Sequence, residues 1–415
     1  MIDFLIESTK LENEIISTRR RLHKNAELGF SETDTSKIVR EYLDKYNIPY
    51  YICAKTGIVG LIEGNKSVED NESLDIKPKV VALRADMDAL PILEENDVSY
   101  KSKNAGIMHA CGHDGHMAIL LSAAKILKKY SNEFNGFVKI IFEPAEETVG
   151  GSKVMIEENV LENPHVDAVF GLHVTENLET NKIMLRSKFI NAASNTFTIK
   201  IMGKGAHGAT PDISIDPIVI SSQIITAIQT ISSRKISPKN PVVVTVVSIH
   251  GGSAKNVIPK EVVIKGIIRT TNENDRKIAK ESLYNIAHNI CIGHGATSEI
   301  QIDDGYPSLY NDEEMCSKLI NAAKKVIGSS NVLYQKEISM GVESFAYFAS
   351  KVPSCFYYVG TGNKAKNTTQ PAHSSKFNID EEALKIGCAI QCQVAFDFLT
   401  NNILFIWQYH EIILI

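Results

Sequence analysis

The sequence predicts an α/β protein with a mainly parallel sheet, into which a smaller α+β domain is inserted. Two observations predict this fold. In the first part of the chain, short apolar runs alternate with helical patterns, as strands and helices do around a parallel sheet. From about Ser187 the order becomes strand, helix, strand, strand, helix, strand, which is typical of a small two-layer sandwich. Helix–strand alternation resumes from Tyr306, so we assign residues 1–186 and 300–400 to one discontinuous domain and residues 187–299 to the inserted one.

The elements of the first domain follow from the spacing of its apolar residues. Residues 3–27 place leucine and isoleucine at helical intervals, and SKIVREYLDKY (Ser36–Tyr46) predicts a second helix. The helix HMAILLSAAKILKK is expected to begin near His116. The predicted strands are IPYYICA, GIVGLIEG, KVVALRADM, GFVKIIFEPAEE and VDAVFGLHV. KVVALRADM is almost uninterrupted in apolar character, as a buried central strand should be.

The inserted domain begins with TFTIKIMGKGAHG, a strand with period-two alternation. The helix DPIVISSQIITAIQTISSR, the strands PVVVTVVSIHGG and EVVIKGIIRT, the helix DRKIAKESLYNIAHNICIGHG and the strand TSEIQIDDG follow. The apolar helix IVISSQIITAIQTI either packs wholly on the sheet of its own domain or needs cover for a second face. We expect the second arrangement, a homodimer formed through residues 187–299.

Composition and charge narrow the possible partners and location. The net charge of −5 and the pI near 6.2 do not indicate a basic surface, which nucleic-acid-binding proteins usually carry. Seven scattered cysteines without a CxxC pair indicate reduced thiols and a cytoplasmic protein. The N-terminus lacks a basic segment followed by an apolar one, so we expect no secretory signal. The apolar tail, residues 401–415, is too short to span a bilayer, and it either docks on the protein or is foreign to it. We therefore expect neither a nucleic-acid nor a membrane partner.

Groups able to bind a metal or move a proton follow the predicted strands at their carboxyl ends, where a parallel α/β sheet places its active site. The stretch MHACGHDGH alone holds three histidines, a cysteine and an aspartate. The candidates, in chain order, are Asp86, Asp88, Cys111, His113, Glu146, Glu147, His173 and His373. A thiolate, three imidazoles and a carboxylate would bind two closely spaced ions such as zinc or manganese. Such a pair would lower the pKa of a shared water and polarise a carbonyl group.

The adjacent acids Glu146 and Glu147, directly after a buried strand, are the most informative of these candidates. One carboxylate can bind metal while the other takes the proton of an attacking water. Because neighbours on an extended segment point to opposite sides, the pair can divide these two roles. Taken singly, each candidate has an ordinary interpretation, such as a solvated acidic pair, a core or loop histidine, or a buried inert cysteine. Only their joint occurrence indicates a site.

Four motifs, MHACGHDGH, EPAEE, FGLHV and GKGAHGATPD, resemble those of the M20 metallopeptidase family. The resemblance is to its amidohydrolase branch in particular, the hippurate, indole-acetyl-amino-acid and N-acyl-amino-acid hydrolases. It extends from RRLHKNAELGFSE to PAHSSKF, nearly the whole chain. It implies a zinc-peptidase-like catalytic domain with an inserted ferredoxin-like domain that serves as lid and dimerisation domain. It also implies two divalent metal ions per chain, zinc or manganese, with cobalt and nickel as alternatives.

The same resemblance implies a role for individual residues. The metal ligands would be Cys111, His113, Glu147, His173 and His373. Glu146 would be the general base, and Asp88 would orient a ligand. His207 would hydrogen-bond the substrate and the developing oxyanion, reaching across a dimer. Asn256 and Arg269 would contact the substrate.

The chain departs from the family at a stretch that is usually similar to MGGEDFAYF. It reads MGVESFAYF here, so Val342 and Ser344 bear on substrate preference and not on the metal ligands. The activity we predict is hydrolysis of the amide bond of N-acyl-L-amino acids to a carboxylate and a free amino acid. The alternatives are a short-peptide exopeptidase of the dipeptidase or aminopeptidase type and an inactive binding protein on the same fold. Cys111 favours the amidohydrolase, because the peptidase branches resemble it with aspartate at that place, and the complete ligand set disfavours the inactive protein.

Overall fold

The computed structural model describes residues 2–66 and 78–400, so the predicted apolar tail, residues 401–415, lies outside the described residues. The helices are α1 (Phe4–Lys10), α2 (Glu12–Lys24), α3 (Thr33–Lys45), α4 (His113–Lys129), α5 (Gly151–Glu157), α6 (Pro217–Ile228), α7 (Glu273–Gly293), α8 (Glu313–Ile327), α9 (Phe345–Ala349) and α10 (Glu382–Thr400). The strands are β1 (Tyr50–Cys53), β2 (Gly57–Asn65), β3 (Val80–Asp86), β4 (Asn135–Glu143), β5 (Ala168–Glu179), β6 (Ile183–Leu185), β7 (Lys188–Asn191), β8 (Ala193–Met202), β9 (Ala206–His207), β10 (Val242–His250), β11 (Val257–Ile258), β12 (Glu261–Thr270), β13 (Thr297–Asp304), β14 (Leu309–Asn311), β15 (Val332–Tyr334) and β16 (Ser354–Gly362). Among the described helices, none combines the length and the apolar composition that crossing a membrane requires.

The chain divides into two compact units. Of the described residues, the first unit comprises those up to Lys188, residues 310–336 and residues 347–400, and the second comprises residues 189–309 and 337–346. The second unit therefore extends beyond the predicted range 187–299. It also includes residues 337–346, which were predicted to belong to the first domain.

The first unit is built on an eight-stranded sheet in the order β1-β2-β4-β3-β5-β16-β6-β15. Its central strands β4, β3, β5 and β16 are parallel to one another, and β15 is parallel to β6. The pairs β1–β2, β2–β4 and β16–β6 are antiparallel. The predicted α/β class is confirmed, and four of the seven described strand pairs are parallel, with the antiparallel pairs outside the four central strands. One of the antiparallel pairs is β1–β2, because the short connection between these strands permits only an antiparallel hairpin.

Packing explains the sequence of the central strand. Every residue of β3 is buried, with helices α4 and α10 packed against it, so the strand has no solvent-facing positions to alternate with apolar ones. The charged side chains of this strand, Arg84 and Asp86, are buried and form an ion pair with each other, and Arg84 also pairs with Glu143. The apolar pattern that predicted a central strand thus reflects burial on both faces.

The second unit contains a four-stranded antiparallel sheet in the order β10-β12-β8-β13, with α6 and α7 packed against it. The elements follow the order strand, helix, strand, strand, helix, strand. Both layers contribute to one core, which includes Ile199, Ile220, Ile224, Ile228, Ile264 and Ile268. The period-two alternation of these strands arises because one face of the sheet is covered by the helices.

The predicted first helix, residues 3–27, is in fact two helices. The hydroxyl groups of Ser8 and Thr9 donate to the carbonyl of Leu5, at 3.0 and 2.7 Å. Side-chain bonds of this kind compete with the backbone and bend helices. The chain accordingly leaves the helical conformation at Leu11, which separates α1 from α2.

The next helix begins earlier than predicted, at Thr33 instead of Ser36. The carboxylate of Glu27 accepts hydrogen bonds from the amides of Asp34 and Thr35, at 3.2 and 2.9 Å. These amides belong to the first turn, where no intrahelical acceptor is available. A residue outside the helix therefore caps it, and this contact is not local in the sequence.

Lys139, on β4, is a buried cation that holds a loop. Its side chain is 1% exposed, and Nζ donates to the carbonyls of Val160, Glu162 and Pro164 at 2.8, 2.8 and 3.0 Å. Burial lowers the pKa of this lysine to about 8. The ammonium group thus satisfies three carbonyl groups of one loop in the interior of the first unit.

We expect Lys139→Met to destabilise the first unit by about 2–4 kcal/mol, because buried carbonyls that lose their partner carry a desolvation cost. The melting temperature in scanning calorimetry is the measurement. Lys153→Met, at an exposed position of α5, is the matched control and should melt like the unchanged protein. Equal melting temperatures for the two variants would contradict the role of Lys139.

Candidate metal centre

Three neighbouring parallel strands, β4, β3 and β5, bring their carboxyl ends to one edge of the sheet. Asp86 at the end of β3 is paired in register with Glu143 at the end of β4. On the other side, Arg84 is paired with Gly171 of β5, so His173 lies two residues further along and beside Asp86. The register of these strands therefore determines which side chains meet at this edge.

Arg84 forms ion pairs with the carboxylates at the ends of two strands. Its Nε donates to Glu143 Oε2 at 2.7 Å and its Nη1 donates to Asp86 Oδ2 at 2.8 Å, with all three side chains buried. Burial opposes the ionisation of Asp86, but the neighbouring His113, His116 and Arg84 lower its pKa well below the usual value. Arg84 thus stabilises the buried Asp86 and Glu143 carboxylates at this edge of the sheet. Its role was not predicted from the sequence, where the only signal is a charge within an apolar strand.

Gly112 brings Cys111 and His113 to the strand that carries His173. It has a left-handed backbone, φ 87°, from which α4 begins at His113 rather than at the predicted His116. A Cβ atom on Gly112 would overlap Cγ2 of Val174, so the chain passes this strand more closely than any other residue allows. As a result, Cys111 Sγ lies 3.3 Å from His173 Nε2.

The two imidazoles at this point are oriented by backbone carbonyls. His113 Nδ1 donates to the carbonyl of Asp88 at 2.9 Å, and His173 Nδ1 donates to the carbonyl of Val174 at 2.6 Å. Each ring therefore carries its hydrogen on Nδ1, which leaves the lone pair of Nε2 directed at Cys111 and its neighbours. Such bonds to the second nitrogen are how proteins orient metal-binding histidines.

Glu146 and Glu147 lie in a turn and not on the extended segment that was predicted. Strand β4 ends at Glu143, and Ala145 has a left-handed backbone, φ 54°, which turns the chain. The amide of Glu147 donates to Asp88 Oδ2 at 3.0 Å, which ties the turn to the end of β3. The turn, rather than the alternation of a strand, therefore sets the directions of the two carboxylates.

His373 comes from a late loop of the same unit. Its backbone is left-handed, φ 64°, and its amide donates to the carbonyl of Ala110 at 2.8 Å, next to Cys111. Its Nε2 lies 3.3 Å from Glu147 Oε1. This loop therefore brings an imidazole that is 53% exposed to the Glu147 carboxylate.

All five residues that the resemblance assigned as metal ligands meet in two groups of three donors. The first group is Cys111, His113 and His173, and the second is Cys111, Glu147 and His373. Within each group the donor atoms lie within 4.8 Å of one another. The two groups share the sulfur of Cys111.

The chemistry of these donors fits bound cations. His113 Nε2, Glu147 Oε1 and Asp88 Oδ1 are buried and make no well-aligned hydrogen bond among the described residues, although ring nitrogens of His373 and His113 lie 3.3 Å from the two carboxylate oxygens. Buried polar atoms of folded proteins are nearly always paired, so three orphaned atoms in one place call for a ligand. Burial and the charge of Glu147 also raise the pKa of the Cys111 thiol well above its usual value, so the thiolate form needs a cation beside it.

His116 is near the cluster but is not a candidate ligand. It belongs to a further group with Asp86 and His113 whose donor atoms lie close together. However, its Nδ1 donates to Asp86 Oδ1 at 2.6 Å and its Nε2 accepts from the amide of Val174 at 2.9 Å. Both ring nitrogens are therefore occupied. His116 supports the strand that carries His173, a role indicated in the sequence only by its position one helical turn after His113.

In the second unit, the predicted substrate-binding residues His207 and Asn256 are neighbours. Strands β9 and β11 pair there, and the amide of Gly208 donates to the carbonyl of Asn256 at 2.8 Å. His207 lines a cavity of about 840 Å³ together with residues of β10 and β12. Its Nδ1 accepts from the amide of Ala209 at 3.1 Å, so its hydrogen is on Nε2.

Arg269, the third predicted substrate-binding residue, lies far from the cavity beside His207 in the same chain. Val263 lines the cavity beside His207, and Arg269 follows six residues later on β12, roughly 20 Å along the strand. Its guanidinium is half-buried and has no acidic partner among the described residues. Val342 and Ser344 also belong to the second unit, where Ser344 is buried.

We expect Gly112→Ala to weaken metal binding by at least ~10-fold, because the added methyl group displaces the backbone between two of the candidate ligands. Isothermal titration with zinc is the measurement. Gly106→Ala is the matched control, since Gly106 has a similar left-handed φ of 81° but open space around it. Equal affinities for Gly112→Ala and Gly106→Ala would show that the close passage at Gly112 does not organise the ligands.

Comparisons with known proteins identify the family. Residues 82–397 match the Peptidase_M20 model, peptidase family M20/M25/M40. Thermostable carboxypeptidase 2 of Saccharolobus solfataricus is 40% identical over 394 residues, which cover 94% of this chain and 96% of that protein. IAA-amino acid hydrolase ILR1-like 4 of Arabidopsis thaliana is 37% identical over 393 residues, which cover 93% of this chain and 86% of that protein.

A solved structure agrees with these matches. The YXEP protein of Bacillus subtilis, described as a dinuclear metal-binding peptidase of the M20 family, is similar with a TM-score of 0.79 and 32% identity. The alignment covers 94% of this chain and 99% of that one. The chain therefore belongs to peptidase family M20/M25/M40, as its motifs predicted, and is a hydrolase of amide or peptide bonds.

Proposed function

We propose that this protein is a two-metal amidohydrolase that cleaves the amide bond of N-acyl-L-amino acids to a carboxylate and a free amino acid. The observation that carries the proposal is the pair of donor groups that share Cys111. Five ligands are more than one tetrahedral catalytic ion uses while it keeps a position for water. Zinc or manganese suits this mixture of thiolate, imidazole and carboxylate, and cobalt and nickel are the next candidates.

The proposed roles of the protein groups follow from their positions. When bound, the two ions would lower the pKa of a water molecule and polarise the substrate carbonyl. Glu146 is buried within 4.8 Å of the donor atoms of His113 and Glu147. It takes the proton of the attacking water and later delivers it to the leaving nitrogen. The Asp88 carboxylate accepts a hydrogen bond from the Glu147 amide and faces the His113 ring. It therefore keeps these two ligands oriented.

His207 is proposed to stabilise the oxyanion of the tetrahedral intermediate. Because its Nδ1 accepts from Ala209, its Nε2 presents a hydrogen, as an oxyanion donor requires. The imidazole is exposed, so it is available to a substrate. In this proposal the first unit is the catalytic domain, and the second unit, with Asn256 and Arg269 as further substrate contacts, is the lid.

The relatives support two substrate classes. The name of the Arabidopsis relative denotes an acyl amino acid substrate, and that of the Saccharolobus relative denotes a peptide. We favour N-acyl amino acids, because the shared ligand is Cys111 and the peptidase branches resemble this chain with aspartate at that place. A short-peptide exopeptidase is the second candidate. An inactive binding protein is disfavoured, since all five candidate ligands and Glu146 are present together.

A substrate screen tests the function. Acetyl-, benzoyl- and indole-acetyl-amino acids would be compared with di- and tripeptides on protein loaded separately with zinc, manganese, cobalt or nickel. The proposal requires a kcat/KM for at least one N-acyl amino acid above that of every peptide. Faster hydrolysis of peptides would select the exopeptidase, and no hydrolysis with any metal would select the binding protein.

The two adjacent glutamates should respond differently to the same substitution. Glu146→Gln removes the proton acceptor, so metal content should persist while kcat falls ~10²–10⁴-fold. Glu147→Gln removes an anionic ligand, so metal affinity should fall first and excess metal should partly restore turnover. Metal analysis and kinetics at rising metal concentration are the measurements. If excess metal restored the turnover of Glu146→Gln, or if both variants lost metal equally, Glu146 would not be the base and Glu147 the ligand.

The second unit is proposed to form a homodimer through its sheet edge. Among the described residues, β10 pairs only with β12, and its exposed residues include Val247 and Ile249. An exposed apolar edge strand of this kind is a template for pairing with another chain. Helix α6 is the weaker alternative, because Ile220 and Ile224 already pack in the core of its own unit.

Light scattering at micromolar concentration should therefore give the mass of two chains. Val247→Lys, a charge on the edge strand, should shift the protein to monomers, whereas Val219→Lys on the exposed face of α6 should leave the dimer intact. A monomeric unchanged protein, or a dimer that Val219→Lys disrupts and Val247→Lys does not, would contradict the edge contact.

We also propose a cytoplasmic location. All seven cysteines lie within the described residues and are free thiols, and this usage is typical of proteins in a reducing compartment.

A further inference from the structure

The turn that carries Glu146 and Glu147 is fixed by a residue far from it in the sequence. Ala145, which precedes the two acids, has the left-handed backbone that residues other than glycine seldom adopt. Its amide donates to Glu32 Oε1 at 2.9 Å, and its carbonyl accepts from the amide of Gly150 at 3.2 Å. Both peptide groups of Ala145 are therefore held in place, and a strained conformation of this kind persists only where its surroundings impose it.

Glu32 is itself a fully buried carboxylate with neutral partners. Its second oxygen, Oε2, accepts from the Thr56 hydroxyl at 2.6 Å. Burial raises the pKa of Glu32, and the charge of Asp88 acts in the same direction against the bonds from Thr56 and Ala145. In either ionisation state one oxygen can accept the Ala145 hydrogen, so the contact does not depend on charge.

The segment around Glu32 holds both sides of the metal centre. Residues 27–32, the clamp segment, form a bridge from Leu28 to Ala89, and the amide of Ala89 donates to the carbonyl of Glu27 at 2.8 Å. Ala89 follows Asp88 directly. At the other side, a Cβ atom on Gly29 would lie 2.9 Å from both Cα and Cβ of Ala145. The clamp segment is thus in close contact with the residue next to Asp88 and with the residue before Glu146.

We propose that Glu32 is a positioning residue for hydrolysis, which acts through Ala145 to hold the Glu146 carboxylate where it takes the proton of the attacking water. The inference rests on the proposed function, in which Glu146 is the general base. Glu32 does not touch the candidate metal ligands. It fixes the peptide from which Glu146 and Glu147 project.

Catalytic geometry makes this contact consequential. A general base must lie within hydrogen-bond reach of the proton it takes. A displacement of about 1 Å from a change outside the reacting groups can lower the rate by ~10²-fold. Without Glu32, the Ala145 amide loses its acceptor, and its left-handed conformation loses one of the contacts that impose it. The turn would then relax, and Glu146 and Glu147 would move together.

Glu32→Ala and Glu32→Gln test the proposal as a pair. Glu32→Ala should lower kcat ~10²-fold with KM changed less than ~3-fold, and it should weaken metal binding ~10–100-fold because Glu147 moves with the turn. Glu32→Gln should restore both values to within ~3-fold of the unchanged protein, since its amide oxygen accepts from Ala145 and its amide hydrogens can bond the Thr56 oxygen. Kinetics and zinc titration are the measurements.

Lys139→Met controls for a general loss of stability in the same unit. It should lower the melting temperature while kcat and metal affinity stay unchanged. Glu32→Ala with unchanged kcat and metal affinity would overturn the proposal, as would Glu32→Gln that is as damaged as Glu32→Ala. If the unchanged protein hydrolyses no N-acyl amino acid, the proposed function fails, but the metal affinities of the two variants still decide whether Glu32 positions the turn.

Two further variants decide the matter if Glu32→Ala does not fold. Gly29→Ala keeps Glu32 and presses a methyl group against Ala145, and Thr56→Val removes the hydroxyl that holds Glu32 Oε2. Both should lower kcat at unchanged KM, with the larger effect for Gly29→Ala. Unchanged kcat in both variants would overturn the proposal.

Discussion

The ion pairs of Arg84 with Asp86 and Glu143 are the interaction on which the organisation of the site depends. They lie at the ends of two adjacent parallel strands, fully buried, where an uncompensated charge would be severely destabilising. Together with His113 and His116, Arg84 favours the anionic form of Asp86, which accepts a hydrogen bond from His116. The Nε2 atom of His116 in turn accepts a hydrogen bond from the amide of Val174, the residue next to His173. One buried cation thereby fixes the position of a histidine on a third strand.

The donors that meet above this network come from loops and helix starts rather than from the strands alone. Gly112 brings Cys111 and His113 against β5, and the turn after β4 presents Glu147. The loop of His373 is joined to Ala110 by a backbone hydrogen bond. Each of these segments is held by at least one contact distant in sequence. These contacts fix the positions from which the candidate ligands project, as precise metal sites require.

The sequence predicted the parts of this structure that depend on local pattern. The central strand KVVALRADM and the helix after MHACGHDGH follow from apolar periodicity, and the clustering of Cys111 and His173 follows from the rule that strand ends meet at one edge. The start of α4 was missed because it depends on the close passage of Gly112 against Val174. The turn at Glu146 was taken for a strand because Ala145 is bent by contacts with Glu32, more than a hundred residues earlier.

Other features could not be inferred because they arise only from packing. No local pattern distinguishes Arg84 as a buried ion-pair partner from a solvent-facing arginine. The break at Leu11 and the capping of α3 by Glu27 depend on individual hydrogen bonds that periodicity does not register. Likewise, His113 and His116 look alike in the sequence. Of the two, the family resemblance named His113 alone as a ligand, and the bonds of the ring nitrogens give the physical reason.

The proposed two-metal centre would use all five assembled donors, with Cys111 contributing to both groups. Anomalous diffraction from crystals grown with zinc or manganese can test this proposal. Two peaks are expected in the first unit, one in contact with Cys111, His113 and His173 and the other in contact with Cys111, Glu147 and His373. A single fully occupied peak at saturating metal, or two peaks that do not share the Cys111 sulfur, would contradict it.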